Sequence, residues 1–205
     1  MEAEPITNRV ATSSLITLDL EELYQKEERI VYDLKQNLWQ GMILKEKDFR
    51  EFLKNNDWTI YQDKLVAITC SADAIVPTWA YMLLSIHINP YAKKIIFGNL
   101  DDLENILFDE AINQINTEEY LDKKVVIKGC SKVNVPVSAY LKITNLLQSK
   151  VQSLMFGEAC SSVPLYKKRK IEEKNKIKVG ASVHACTKSN LYFKISLAFF
   201  SSSLS

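Results

Sequence analysis

The feature that most narrows the possible fold is an alternation, from about residue 64 to residue 156, of short apolar runs with longer stretches whose apolar residues recur at helical spacing. Lys64-Leu65-Val66-Ala67-Ile68-Thr69-Cys70 is apolar enough for a strand buried on both faces, and Pro77 to His87 reads as a helix with proline in its first turn. Lys94-Ile95-Ile96-Phe97 is a second strand. Gly98-Asn99 supplies a turn and a cap for a helix over Leu100 to Ile115, with Leu103, Ile106, Leu107, Ala111 and Ile112 at helical spacing. Lys124 to Lys128 is a third strand, followed by a helix from about Pro136 to Val151 that carries Ala139, Ile143, Leu146 and Leu147 on one face. Ser153-Leu154-Met155-Phe156 closes the series as a fourth strand. Such alternation demands right-handed crossovers, so the expected fold class is α/β: one domain with an open, mainly parallel sheet and helices on both faces. Upstream, Ser14 to Leu18 and Arg29 to Leu34 read as strands, and Lys45 to Asn55 as a surface helix that presents Phe49, Phe52 and Leu53.

The chain of 205 residues, 47% apolar and 25% charged, has the balance of a soluble globular protein with room for one sizeable core. No run approaches the eighteen or so uncharged apolar residues that a membrane-spanning helix requires, and the acidic start Met1-Glu2-Ala3-Glu4-Pro5 is unlike a secretion signal. A cytoplasmic location is therefore expected. The net charge of +1 conceals an asymmetry: residues 1–166 hold 17 basic against 23 acidic side chains, and residues 167–205 hold 9 against 2. Residues 1–166 are expected to form the single domain and 167–205 a poorly ordered tail, basic at first and then rich in serine and apolar residues. The cluster Lys167-Lys168-Arg169-Lys170 has no interleaved aromatic residues, which favours a solvated linker over a nucleic-acid patch; neither nucleic acid nor membrane is an expected partner.

Three of the four cysteines share a local context: Thr69-Cys70-Ser71, Gly129-Cys130-Ser131 and Ala159-Cys160-Ser161. Each follows a strand-like run and is followed by a proline, respectively Pro77, Pro136 and Pro164. Ligands of open parallel sheets bind beyond the carboxyl ends of the strands. If the strand ending at Phe97 lies outside the first, the three cysteine-bearing strands become consecutive neighbours about 4.8 Å apart. Cys70, Cys130 and Cys160 are then a candidate ligand set for zinc, iron or an iron–sulfur cluster, and Asp73 and Glu158 are candidates for a further ligand. Ser71, Ser131 and Ser161 are candidate cofactor-binding residues whose hydroxyls can also cap the following loop or helix, and the backbone amides there can hydrogen-bond thiolate sulfur or hold an anion. Cysteine is equally at home as a small buried residue, so a structural role for all three stays open.

Other chemistries find less support. The chain has no phosphate-binding glycine loop, dinucleotide fingerprint or nucleophile elbow. Its two histidines are ill placed: His87 falls at the far end of its helix from Pro77, and His184 belongs with Cys186 to the tail. Trp39, Trp58 and Trp79 are expected to pack in the core or under a lid.

The stretches Gly41 to Arg50, Thr69 to Pro77, Lys128-Gly129-Cys130-Ser131 and Gly157 to Tyr166 together resemble a bacterial family catalogued as domain of unknown function 2480. The resemblance runs from about Ile6 to Lys168, with several separate motifs in order, and the tail departs from it. Its members are associated with gene neighbourhoods for iron–sulfur cluster assembly. The resemblance thus implies a metal or cluster role for Cys70, Cys130 and Cys160, with iron–sulfur assembly proteins as partners. Three readings follow: an accessory protein that binds metal or a cluster, a thiol-dependent transferase or hydrolase using one of these cysteines, and an interaction module in which the cysteines are structural.

Overall fold

The computed structural model describes residues 15–129, 132–158 and 161–169, all within one compact unit that ends at Arg169. The tail that includes His184 and Cys186 lies outside the described residues, as do Cys130, Ser131 and Cys160. In chain order the elements are β1 (Leu15–Leu18), β2 (Arg29–Asp33), α1 (Glu46–Asn55), β3 (Leu65–Thr69), α2 (Thr78–Ile88), β4 (Lys94–Phe97), α3 (Leu100–Asn113), β5 (Lys124–Ile127), α4 (Val137–Gln148), β6 (Ser153–Glu158) and β7 (Ser161–Lys167). The class is α/β with parallel strands, and among the described residues no helix is long and apolar enough to cross a membrane.

The strands divide between two sheets. One has the order β2-β3-β4 and is parallel throughout; the other has the order β1-β5-β6-β7, with only β7 antiparallel. The expectation that the three cysteine-bearing strands are consecutive neighbours is corrected here. β5 and β6 are adjacent, but β3 belongs to the other sheet. Periodicity identifies strands without saying which of them pair, and here each sheet takes its first strand from the amino-terminal segment, so that β1 reaches β5 across most of the domain.

The two sheets are two copies of one design. Tyr61, Asp63, Pro77, Ala80, Tyr81, Phe97 and Gly98 recur 59 positions later as Tyr120, Asp122, Pro136, Ala139, Tyr140, Phe156 and Gly157. Local geometry repeats with them. Asp63 and Asp122 both take a positive φ, 56° and 52°, as do Gly98 and Gly157, at 135° and 124°. The amide of Asp63 bonds the carbonyl of Tyr91 at 2.9 Å, and that of Asp122 bonds the carbonyl of Lys150 at 2.9 Å. Tyr81 meets Phe97 edge-on with ring centroids 5.3 Å apart, and Tyr140 meets Phe156 in the same way at 5.6 Å. The first strands also correspond, because β1 runs into Asp19-Leu20 and β2 into Asp33-Leu34, and each aspartate caps a short 3-10 turn.

Helix α3 joins the two copies. Leu103 and Leu107 pack with Leu65, Ala67 and Ile96 of the first sheet, whereas Phe108 and Ile112 pack with Leu18, Val125, Ile127 and Leu154 of the second. A helix apolar on two faces is what a position between two sheets requires. On its other face the first sheet is covered by α1 and α2, with Phe49, Leu53, Ala80, Leu84 and Ile88 against Tyr32, Val66 and Ile68. α3 starts at a reciprocal capping box between Asn99 and Asp102. Pro77 and Pro136 stand just before α2 and α4 in extended conformation, as N-caps without a side-chain bond, so neither helix contains its proline in the first turn. Pro164 differs from both: it lies within β7, paired with Met155, and starts no helix. The third cysteine context is thus a different structural unit from the other two.

Candidate functional site

The carboxyl ends of the strands carry the chemistry, and they cluster in two places. At the first sheet, β2 ends in Asp33 and β3 in Thr69-Cys70-Ser71. The Asp33 carboxylate accepts bonds from the amide of Lys35 at 2.9 Å, from the amide of Ser71 at 3.0 Å and from the Ser71 hydroxyl at 2.5 Å. Partial burial works against the charged form, but the Ser71 hydroxyl and the Lys35 and Ser71 amides outweigh it and hold the carboxyl below its usual value. The Ser71 amide and hydroxyl thus fasten the end of β3 to the end of β2. Cys70 is half-buried against the core, with its sulfur 3.9 Å from the Ala72 carbonyl. The Tyr81 hydroxyl belongs to the same cluster: burial, then Cys70 and Asp33, raise its pKa. Asp73 is exposed in the loop leading to α2.

At the second sheet the corresponding carboxylate is Asp19. It accepts from the amide of Glu21 at 3.0 Å and pairs with Lys128 Nζ at 2.5 Å. Burial opposes ionisation of Asp19, but the Lys128 bond and the Glu21 amide prevail and lower its pKa; Lys128 is raised in turn, chiefly by its bond to Asp19 and further by the charges of Glu21 and Glu158. Lysine thus stands at the end of β5 where Thr69 stands at the end of β3, which makes the second edge a cationic group ringed by three carboxylates. Gly129 lies next to Gly157: a Cβ on Gly129 would come within 3.3 Å of the Gly157 Cα and 3.1 Å of the Phe156 ring. Glu158 is the exposed last residue of β6 and pairs directly with Ser161, the exposed first residue of β7, so two residues connect the strands there.

The expected ligand set is therefore distributed as follows. Cys70, Ser71 and Asp73 belong to the edge of the first sheet, and Glu158 and Ser161 to the edge of the second. Cys130, Ser131 and Cys160 lie outside the described residues, in the segments that continue those second-sheet strands. Among the described residues no three His, Cys, Asp or Glu side chains converge where they would hold a metal ion.

A family model described as a protein of unknown function, DUF2480, matches residues 4–168. The chain belongs to the DUF2480 family. No curated protein and no solved structure matches it.

The DUF2480 match spans both copies of the design and stops where β7 ends. Three parts of the edges are not in the reading of the sequence: the capping aspartates, Lys128 as the partner of Asp19, and the tyrosine beside each sheet. The tyrosines had a signal in the 59-residue recurrence, visible in Ala80-Tyr81 against Ala139-Tyr140 and in Phe97-Gly98 against Phe156-Gly157. His87 is placed away from both edges: its ring bonds the Leu83 carbonyl at 2.9 Å and packs on Trp58. Trp58 and Trp79 are packing residues, Trp58 buried with its indole N–H on the Leu53 carbonyl and Trp79 against Phe49.

Proposed function

We propose that this chain binds zinc, iron or an iron–sulfur cluster through cysteine thiolates at the carboxyl edge of the second sheet, in the reducing cytoplasm, as an accessory to iron–sulfur cluster assembly. The observation that carries the reading is that β5 and β6 are adjacent parallel strands and that both run on into a Cys-Ser pair. Cys130 and Cys160 would supply sulfur, and Glu158 an oxygen ligand from the end of β6. Lys128, whose pKa the charges of Asp19, Glu21 and Glu158 help to raise, is a cation at this edge, suited to offset the negative charge of a thiolate-bound cluster. Cys70 follows a strand of the other sheet, where the Asp33 carboxylate and the Tyr81 hydroxyl are its described neighbours, and it is the third, separable member of the ligand set.

Anaerobic purification with metal analysis and absorbance spectra tests the reading. The expected result is bound metal or cluster that Cys130→Ser and Cys160→Ser each abolish. A chain that stays metal-free after reconstitution, or whose metal content survives both substitutions, would overturn it.

A further inference from the structure

The two copies of the design share one aspartate and differ in what it holds. In the first sheet Asp33 ends β2 opposite Thr69, and its carboxylate takes the Ser71 amide at 3.0 Å on one oxygen and the Ser71 hydroxyl at 2.5 Å on the other. The second sheet keeps this register. Leu18 lies opposite Ile127 and its carbonyl accepts the Lys128 amide at 2.9 Å, which brings Asp19 opposite Lys128 as Asp33 is opposite Thr69. The residue 59 positions after Ser71 is Cys130. In both copies one carboxylate oxygen caps the turn that follows, Asp33 through the Lys35 amide and Asp19 through the Glu21 amide. The other oxygen, which receives the serine hydroxyl in the first copy, receives Lys128 Nζ at 2.5 Å in the second. Asp19 therefore has no need of the side chain at position 130, and a thiol is in any case a weak donor. The exchange of serine for cysteine leaves the backbone hold available and releases the side chain to a ligand.

We infer that Asp19 is a positioning residue for Cys130: its carboxylate holds the Cys130 amide as Asp33 holds that of Ser71, and with Glu21 it sets where the thiol meets a metal ion. The consequence for metal rests on the function proposed above; the geometry does not. Two further contacts close around the same position. The Glu21 carboxylate accepts the amide of Lys132 at 3.2 Å, so the turn that begins at Asp19 grips the chain two residues before Cys130, at Lys128, and two residues after it. Opposite the turn, a Cβ on Gly129 would come within 3.1 Å of the Phe156 ring and 3.3 Å of the Gly157 Cα, so the backbone just before Cys130 lies against the end of β6, the strand that runs on toward Cys160. A short segment fixed at both ends has little conformational freedom left to lose, and a ligand presented on it binds with a smaller ordering cost. Partners that orient a ligand without touching the metal typically change metal affinity by about 10–100-fold.

Residue-resolved amide hydrogen exchange on the reduced, metal-free full chain tests the geometry, and zinc titration against a competing chelator tests the consequence. Asp19→Ala is expected to speed exchange of the Cys130 amide by roughly tenfold or more while β5 stays protected, and to weaken zinc binding by about 10–100-fold. Asp19→Asn keeps an acceptor oxygen and is expected to restore most of the protection. Asp33→Ala removes the corresponding carboxylate from the first sheet; it is expected to lower stability comparably and to leave zinc binding within about twofold, the tolerance for distant, independent sites. If Asp19→Ala does not fold, Glu21→Ala, which frees the Lys132 amide, is expected to speed exchange there and to weaken zinc binding. Unchanged exchange at Cys130 in folded Asp19→Ala, unchanged exchange at Lys132 in Glu21→Ala, or zinc binding that falls equally in Asp33→Ala would overturn the inference. A chain that binds no zinc overturns the metal reading alone, and the exchange result then decides the role of Asp19.

Discussion

Replacing Asp33 by alanine removes one carboxylate that does three jobs: it caps the 3-10 turn after β2, and it holds both the amide and the hydroxyl of Ser71 at the end of β3. Loss of a cap costs about 1 kcal/mol. Hydrogen bonds to a charged group are worth about 1.5–3 kcal/mol each when shielded, and less where water can replace the partner, as it can at this half-open edge. The expected cost of Asp33→Ala is therefore about 2–3 kcal/mol, a fall of roughly 4–12 °C in melting temperature for a domain of this size. Ser71→Ala removes only the hydroxyl bond and should cost about 1 kcal/mol. Because the two side chains touch, the double variant should be less damaged than the sum, by a coupling of about 1 kcal/mol in a denaturant-unfolding cycle. A coupling under about 0.3 kcal/mol, within the error of additivity, would refute the account and leave the Ser71 hydroxyl free for a ligand. The pH dependence follows from the same bonds. The Asp33 carboxyl is held below its usual value, so its contribution is complete above about pH 4–5 and is lost as pH falls through the lowered value. Asp33→Asn should flatten the acid side of the stability profile.

Two further outcomes follow from the packing. Leu107→Ala, at a core position against the first sheet, and Phe108→Ala, against the second, should cost about 2–5 and about 3–5 kcal/mol respectively. Since α3 serves both sheets, each variant should still unfold in one transition when followed by both fluorescence and circular dichroism; two separated transitions would show that the sheets melt independently. Tyr32, whose pKa burial raises to about 12 against the opposing bonds from Gln36 and Asn37, favours the fold fully below the ordinary tyrosine value of about 10. That contribution should fade as pH climbs from about 10 to about 12, and Tyr32→Phe should reduce the dependence in an alkaline stability titration, leaving the smaller share of Tyr61, Tyr81 and Tyr120, whose pKa values burial also raises.

Much of this architecture was legible without coordinates. The bounds of β4 follow directly from Lys94-Ile95-Ile96-Phe97, and α3 begins where Asn99 announces a cap, because strand runs and capping residues are local properties. β7 was not legible. Ser161 to Lys167 carries Pro164 and has only partly buried or exposed positions, so it lacks the apolar run of an interior strand; it is a strand because β6 offers it an edge. The candidate site divides in the same way. The recurring Cys-Ser pairs were evident in the sequence, yet Ser71 proved to be a tie to Asp33, a residue 38 positions away that local pattern cannot connect with it.

By itself, the sequence determined that this chain alternates strands and helices, that its strands are mostly parallel, and that cysteines follow three of the strand-like runs. Only the tertiary structure decided that the strands form two sheets around α3, with Cys70 at the edge of one and the strands leading to Cys130 and Cys160 side by side in the other. The physical reason is that helix and strand preferences and capping are carried by residues close in sequence, whereas burial and strand partnership depend on packing and hydrogen bonds between residues far apart in the chain. β1 and β2 are near neighbours in sequence with almost interchangeable patterns, and their choice of β5 and β3 divides one apparent cysteine edge into two.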